Sequence, residues 1–240
     1  MSDDPAIALV TGASRGIGRA IAIELGNQGM TVIGTATTEQ GADAISAYLA
    51  ELKIFGSGLC ADVSDDDSVS ALIASVVEDF AAPLVLVNNA GITRDNLLMR
   101  MKQEEWSSVI DTNLGSMYRV TKACVKGMTR ARWGRIVNIS SVVGFKGYAG
   151  QAAYASSKHA LAGFTKVLAK EVQEDGIKVH LVSPGGVNTE MVQEMRPDID
   201  TSELIQPEEI AELVEFLVTR KGKGTIDHFY IRRQSGLAFD

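Results

Sequence analysis

The stretch Ala6-Ile7-Ala8-Leu9-Val10-Thr11-Gly12-Ala13-Ser14-Arg15-Gly16-Ile17-Gly18 opens the first readable unit of the chain. Its five leading residues, Ala6 to Val10, are all apolar and read as a buried strand. Three glycines follow. From about Gly16 to Gln28 the positions Ile17, Ala20, Ile21 and Leu25 recur at helical spacing, and Gly29 ends the helix. A strand that turns through glycine into a helix is the opening unit of a parallel α/β sheet.

The same alternation runs outward from this unit. Thr31 to Thr35 reads as a second strand and Glu39 to Glu51 as a second helix. Leu59 to Val63 reads as a third strand. Asp65-Asp66-Asp67 then starts a helix with the apolar face Val69, Leu72, Ile73 and Val76. Leu84 to Val87 is a fourth strand, with no polar residue before Asn88. A long helix follows Asn113, Arg135 to Ile139 is a strand, and Tyr154 to Asp175 is a helix. Lys178 to Val182, Pro207 to Thr219 and Thr225 to Ile231 complete the pattern as strand, helix and strand. Continuous apolar strands joined by helices predict a Rossmann-type, doubly wound parallel sheet of about seven strands with helices on both faces. No repeat or linker interrupts residues 1–240, so a single domain is expected. The polar stretch Thr189 to Gln206 reads either as a lid over a site or as a plain surface loop.

Composition narrows the class. A hydrophobic fraction of 45% suits a sheet covered on both faces, and no apolar run approaches the length of a membrane span. The acidic start Met1-Ser2-Asp3-Asp4-Pro5 is not a signal peptide, so a soluble cytoplasmic protein is expected. A net charge of −7 carries no bias toward nucleic acid or anionic membrane. Cys60 and Cys124 have no metal or redox spacing and are expected as buried free thiols. His159, His180 and His228 have no metal spacing either, so no metal is expected.

The glycine turn allows close approach of the backbone to a pyrophosphate at a helix N-terminus, although strand-to-helix turns favour glycine in any case. Its spacing is G-x-x-x-G-x-G, not the commoner G-x-G-x-x-G. NAD sites place a carboxylate at the end of the second strand, where its charge would repel a 2′-phosphate. Here that strand ends Gly34-Thr35-Ala36-Thr37-Thr38, with no acid before Glu39. Arg15 is either the cation that a phosphate wants or a solvated turn residue. The missing acid and the arginine together predict NADP(H).

Tyr154-Ala155-Ser156-Ser157-Lys158 puts a phenol and an ammonium on one helix face. A nearby Lys⁺ is expected to lower the phenol's pKa from its reference value of about 10. The spacing alone proves little, because Tyr118-Arg119-Val120-Thr121-Lys122 repeats it. Context separates the two. Ser141 ends an apolar strand 13 residues before Tyr154, whereas Glu105 holds the same offset before Tyr118. A serine at a strand's C-terminal end can donate to a substrate oxygen beside the tyrosine. Asn113 is either part of this set or an ordinary helix cap.

These motifs resemble the short-chain dehydrogenase/reductase family over roughly the first 190 residues. The resemblance implies Asn113, Ser141, Tyr154 and Lys158 as the catalytic set. It implies cofactor contacts from Gly12, Ser14, Arg15, Gly16, Ile17, Gly18, Thr37, Asp62 and Val63. It adds Asn89, Ala90 and Gly91, then Tyr154 and Lys158 again, and Pro184, Gly185, Val187 and Thr189 on the nicotinamide side. Thr93-Arg94-Asp95-Asn96-Leu97-Leu98-Met99-Arg100 and Ser141-Val142-Val143-Gly144 look like the β-ketoacyl-acyl carrier protein reductases of fatty-acid synthesis. That implies a 3-oxoacyl thioester substrate on a carrier protein, and a homotetramer or homodimer.

Some features depart from that subgroup. Arg132 matches one of its two basic carrier-docking positions, but Asp175 occupies the other. The Thr189–Pro207 stretch is shorter, and the tail Ile226 to Arg233 lacks the glycine ending. A CoA thioester or small free ketone is therefore a second candidate substrate. A dinucleotide-binding regulator without chemistry is a third reading, against which the intact set of four residues argues.

Overall fold

A computed structural model describes residues 5–195 and 198–236. Met1 to Asp4, Arg196 and Pro197 of the expected lid, and the last four residues of the expected domain lie outside the described residues. Seven strands form one sheet: β1 (Ile7–Val10), β2 (Thr31–Ala36), β3 (Gly56–Cys60), β4 (Val85–Asn88), β5 (Gly134–Ile139), β6 (Ile177–Pro184) and β7 (His228–Ile231). Their order is β3-β2-β1-β4-β5-β6-β7, and every pairing is parallel. This is the doubly wound sheet that the apolar strands predict.

Residue alternation along the strands sorts the helices. Ala8, Val10, Val32, Val85 and Val87 face α1 (Gly16–Asn27), α2 (Glu39–Glu51) and α8 (Pro207–Thr219). Ile7, Leu9, Ile33, Leu86 and Ile136 face α3 (Asp66–Asp79), α5 (Ser116–Ala131) and α6 (Ala152–Val172). Burying both faces removes apolar area worth roughly 25 cal/mol per Å² from water, so these strands carry no polar alternation.

The third strand lies three residues earlier than expected, at Gly56–Cys60 instead of Leu59–Val63. Its sequence, Gly-Ser-Gly-Leu-Cys, has little strand propensity, and the reason is steric. A Cβ on Gly58 would lie 2.0 Å from the Ala42 carbonyl oxygen, and one on Gly56 would lie 1.9 Å from that of Val32. The strand packs so closely under α2 and beside β2 that only glycine fits. Asp62 and Val63, expected inside the third strand, therefore follow it. Cys60, at this edge, is exposed and not buried as expected, whereas Cys124 is buried in α5.

Two short helices were not foreseen. α4 (Gln103–Ile110) starts with Glu105 accepting from the Lys102 amide at 2.7 Å, and α7 (Glu190–Met195) lies inside the polar stretch after Thr189. The helix expected over Tyr154–Asp175 starts at Ala152 and ends at Val172, with a 3-10 turn over Gln173–Asp175. The last strand is confined to His228–Ile231.

Candidate active site

In this order strands are added to one side of β1 up to β3 and to its other side from β4 on, and doubly wound sheets bind ligands in the crevice at such a switch point. The glycine turn lies at the end of β1. Gly12 and Gly16 have φ of +66° and +54°, which a side chain rarely adopts. A Cβ on Gly18 would come within 2.2 Å of the Gly12 carbonyl oxygen. The turn is thus a cradle whose backbone is open to a ligand.

The end of β4 clamps that cradle. Asn89 Nδ2 donates to the carbonyls of Thr11 and Gly12, both at 3.0 Å. The amides of Asn89 and Ala90 both donate to Thr11 Oγ1 at 3.0 Å. Beneath them, Asn88 Nδ2 donates to Thr121 Oγ1 and Asn138 Oδ1, and Asn138 Nδ2 donates to Thr165 Oγ1 at 2.9 Å. This buried network ties β4 and β5 to α5 and α6. Sequence reading missed it, because Asn138 lies within a strand read only for its apolar neighbours.

Arg15 is exposed at the mouth, 3.7 Å from Glu194 of α7. Thr37 is exposed beyond β2, where Thr38 Oγ1 caps α2 by accepting from the Gly41 amide at 3.1 Å. Asp62 is exposed and accepts from the Ser64 amide and hydroxyl at 2.8 and 2.6 Å, which hold its carboxyl below the usual range. Val63 beside it is buried. Pro184 ends β6, and the Gly185 amide donates to Ile231 at 2.7 Å. Thr189 faces the cradle: a Cβ on Gly16 would touch its Cγ2 at 3.2 Å.

Lys158 and Tyr154 reach the same cleft as Gly12, Ser14, Arg15, Ile17, Gly91 and Ser140. Lys158 is buried, and its Nζ donates to the Ile139 carbonyl at 2.9 Å. Burial pushes its pKa down to about 8. Tyr154 is pushed up to about 12 by burial, while its hydrogen bond with Ser141 pulls the other way. The expected lowering by Lys158 is therefore not present among the protein groups. Low dielectric penalises both charges, and the ammonium is directed at a carbonyl, 5.7 Å from the phenol ring centroid. At neutral pH the phenol keeps its proton.

Asn113 is fully buried in a π-helical turn, Asp111–Gly115, that joins α4 to α5. Its Oδ1 accepts from the Ile92 amide at 2.8 Å, and its Nδ2 donates to the Ile92 carbonyl at 2.9 Å and to Ser157 Oγ at 3.1 Å. A π turn inside a helix is an irregularity frequent at functional sites. Asn113 is thus no simple helix cap.

The model of the short chain dehydrogenases matches residues 6–200. This chain belongs to that family. The dehydrogenase is 51% identical over 228 residues to the 3-oxoacyl-acyl-carrier-protein reductase FabG of Pseudomonas aeruginosa, covering 91% of this chain and 92% of that one. It is 48% identical over 227 residues to the reductase of the same name from Escherichia coli, with the same coverage. Among solved structures it superposes on a variant of actinorhodin polyketide ketoreductase with NADPH. The TM-score is 0.85 at 38% identity, over 89% of this chain and 90% of that one.

The second Y-x-x-x-K pair of the dehydrogenase, Tyr118 and Lys122, lies on its surface. Lys122 Nζ donates to Tyr118 Oη at 3.0 Å on an exposed face of α5. The histidines are tied to main chain or packing. His159 bonds the Ala155 carbonyl, His180 is buried against that of Ile226, and His228 stacks on Phe145 at 4.9 Å. Arg132 is not free, because its Nη1 pairs with Asp175 and its Nη2 donates to the Glu174 carbonyl at 2.6 Å. No helix among the described residues is long and apolar enough to cross a membrane.

Proposed function

We propose that this oxidoreductase reduces 3-oxoacyl thioesters, carried on an acyl carrier protein, to 3-hydroxyacyl thioesters with NADPH. The observation that carries the reading is the convergence of Tyr154 and Lys158 with the glycine cradle in one cleft. The identity to two reductases of that name, over about nine-tenths of the chain, supports the substrate class.

The cradle fits a dinucleotide: a Cβ at Gly12, Gly16 or Gly18 would crowd Ala90, Thr189 or the Gly12 carbonyl, so glycine lets the turn close tightly beside the cleft at the start of α1. Ser14, Ile17 and Asn89 to Gly91 would hold the same ligand, with Asp62 and Val63 toward the adenine and Arg15 and Thr37 toward the 2′-phosphate. Pro184, Gly185, Val187 and Thr189 would take the nicotinamide side. NADPH supplies the hydride when bound.

The chain's own residues supply the proton. Ser141 and Tyr154 hold the ketone oxygen, and Tyr154, protonated at neutral pH, donates to the oxygen as negative charge develops there. Lys158 then restores the phenol proton. Asn113 holds the π turn that sets α4 and α6 in register. The 189–206 segment is the substrate lid. Its base is closed by Asn188 and Ile205, whose amides donate to the Ile205 and Gly186 carbonyls at 2.8 and 3.1 Å.

A CoA-thioester reading keeps one observation in its favour: Asp175 neutralises Arg132, a docking position for an acidic carrier. A homotetramer or homodimer follows the family resemblance. The test is NADPH oxidation with a 3-oxoacyl carrier-protein thioester, acetoacetyl-CoA and simple ketones, for wild type and Tyr154→Phe. The carrier thioester should be reduced best, and Tyr154→Phe should lose about 10³-fold while still binding NADPH. Preference for free ketones would defeat the proposal.

A further inference from the structure

β7 is the last strand of the sheet, and α6 is the last helix on one of its faces among the described residues. Beyond α6 that face is open as a groove of about 630 Å³, within the roughly 300–1,000 Å³ usual for ligand sites. The groove shares no lining residue with the cleft that holds Tyr154 and Lys158.

Its two ends differ. α6 descends as β6 climbs, so Ala162 packs beside Leu181 at one end and Gln173 leads into Ile177 at the other. Phe145, Ala162 and Leu181 make the first end apolar, and the Phe145 ring stacks on His228 there. Lys170, Lys178 and Lys223 stand at the second end, with Lys166 one helical turn before Lys170. Between the ends the strand floor, Ile177, Val179 and Leu181, runs roughly 13 Å at about 3.3 Å per residue.

The cations are left unbalanced. Among the described residues none of these four lysines forms an ion pair. Asp227 is the one carboxylate lining the groove, and it belongs to the apolar end, where its carbonyl accepts from the Leu181 amide at 2.8 Å. Lys178 Nζ donates to the Gly222 and Gly224 carbonyls at 3.0 and 3.2 Å, which holds the loop that carries Lys223. Burial, then Arg135 and Arg220, lower the pKa of Lys178, and burial, then Lys166, lowers that of His228.

An acidic peptide would leave the apolar end unfilled, and an uncharged chain would leave the lysines unmatched. We propose that the groove binds a long-chain amphipathic anion, its alkyl chain along Ile177, Val179 and Leu181 and its carboxylate or phosphate head among Lys170, Lys178 and Lys223. The site does not depend on which carbonyl the enzyme reduces. It does adjoin the catalytic segment, because Phe145 directly follows the 3-10 turn Val142–Gly144 that Ser141 caps.

The test is calorimetric titration of the full chain, with NADPH present, by dodecanoate, dodecyl phosphate, dodecanol and hexanoate, each below its micelle-forming concentration. Both dodecyl anions should bind once per chain, and dodecanol and hexanoate at least about tenfold more weakly. The tighter of the two anions tells a carboxylate source from a phosphate one. Thr225→Trp, at the lip of the groove, should abolish binding. Lys170→Glu combined with Lys223→Glu should weaken the anions about tenfold and leave dodecanol unchanged. Both variants should keep kcat and KM for NADPH. Anions that bind the variants as well as wild type would sit elsewhere, the substrate cleft included, and would overturn the proposal. Dodecanol binding as tightly as dodecanoate would overturn it too. If wild type binds neither anion and Thr225→Trp lowers the oligomeric state in sedimentation, the groove is instead a contact between copies of this chain.

Discussion

Asn113 Nδ2 donates to Ser157 Oγ at 3.1 Å, joining a π-helical turn to the helix that carries Tyr154 and Lys158. The same side chain bonds both the amide and the carbonyl of Ile92, next to the Asn89–Gly91 clamp on the glycine cradle. One buried amide thus sets the helix of Tyr154 and Lys158 against the glycine cradle.

Asn113→Leu keeps the volume and removes three hydrogen bonds. At about 1 kcal/mol each, the fold should lose roughly 3 kcal/mol. For a chain of this size that lowers Tm by about 10 °C, read by calorimetry. Activity should fall further than the remaining folded fraction explains, by about 10²-fold in kcat, because α6 loses its alignment.

Much of this arrangement is legible in the residues, and what is not has physical reasons. β1, its glycine turn and α1 are legible because apolar periodicity and glycine spacing are local signals. β3 is not, because Gly56 and Gly58 are dictated by the closeness of Val32 and Ala42, which lie elsewhere in the chain. Tyr154 stands out from Tyr118 through Ser141, a sequence-visible context. The Asn88–Asn138 bond spans 50 positions and leaves no local trace. The direction of the Tyr154 shift was misread for a related reason: residue spacing reveals Lys158 as a neighbour but not the depth at which both groups are buried.

Lys158 makes stability depend on pH in a defined way. Its pKa is near 8 in the folded chain and 10.5 in the unfolded one, so between these values the unfolded chain binds more protons. The charged form is destabilising below pH 8, and stability is regained as pH rises through 8 toward 10.5. Cys124 acts oppositely, because its thiol is pushed up from 9.0 to about 12 and the unfolded chain ionises first. The contribution of Lys158 is isolated by comparison with Lys158→Met, in which the cysteine effect cancels. Urea melts at pH 8 and 9 should show wild type gaining roughly 1 kcal/mol relative to the variant. A constant difference across that interval would mean Lys158 is not depressed.

Arg15 sits at the cleft mouth with Glu194 as its only ion-pair partner among the described residues. The pair is exposed and weak, so a 2′-phosphate can take the guanidinium over. Arg15→Ala should raise KM for NADPH about tenfold and leave KM for NADH nearly unchanged. Glu194→Gln should lower KM for NADPH by no more than about fivefold, since an exposed pair is worth at most about 1 kcal/mol. Steady-state assays with both nucleotides check the two variants together.

Asp175 lies against Arg132, the basic position that the family resemblance assigns to carrier docking. Its carboxylate pairs with Arg132 and also accepts from Thr129 Oγ1 at 3.1 Å, so the basic position offers an acidic partner little net charge. Asp175→Ala removes the competing anion and frees Arg132. KM for a 3-oxoacyl carrier-protein thioester should fall by about fivefold at low ionic strength, the worth of one exposed charge pair. The gain should shrink as salt screens it, because the Debye length drops to about 3 Å at 1 M. Acetoacetyl-CoA, which does not need that protein surface, should show no change in KM. Equal gains on both substrates would place the effect of Asp175 in the cleft and not at a docking surface, and a salt titration of KM with the two substrates separates these outcomes.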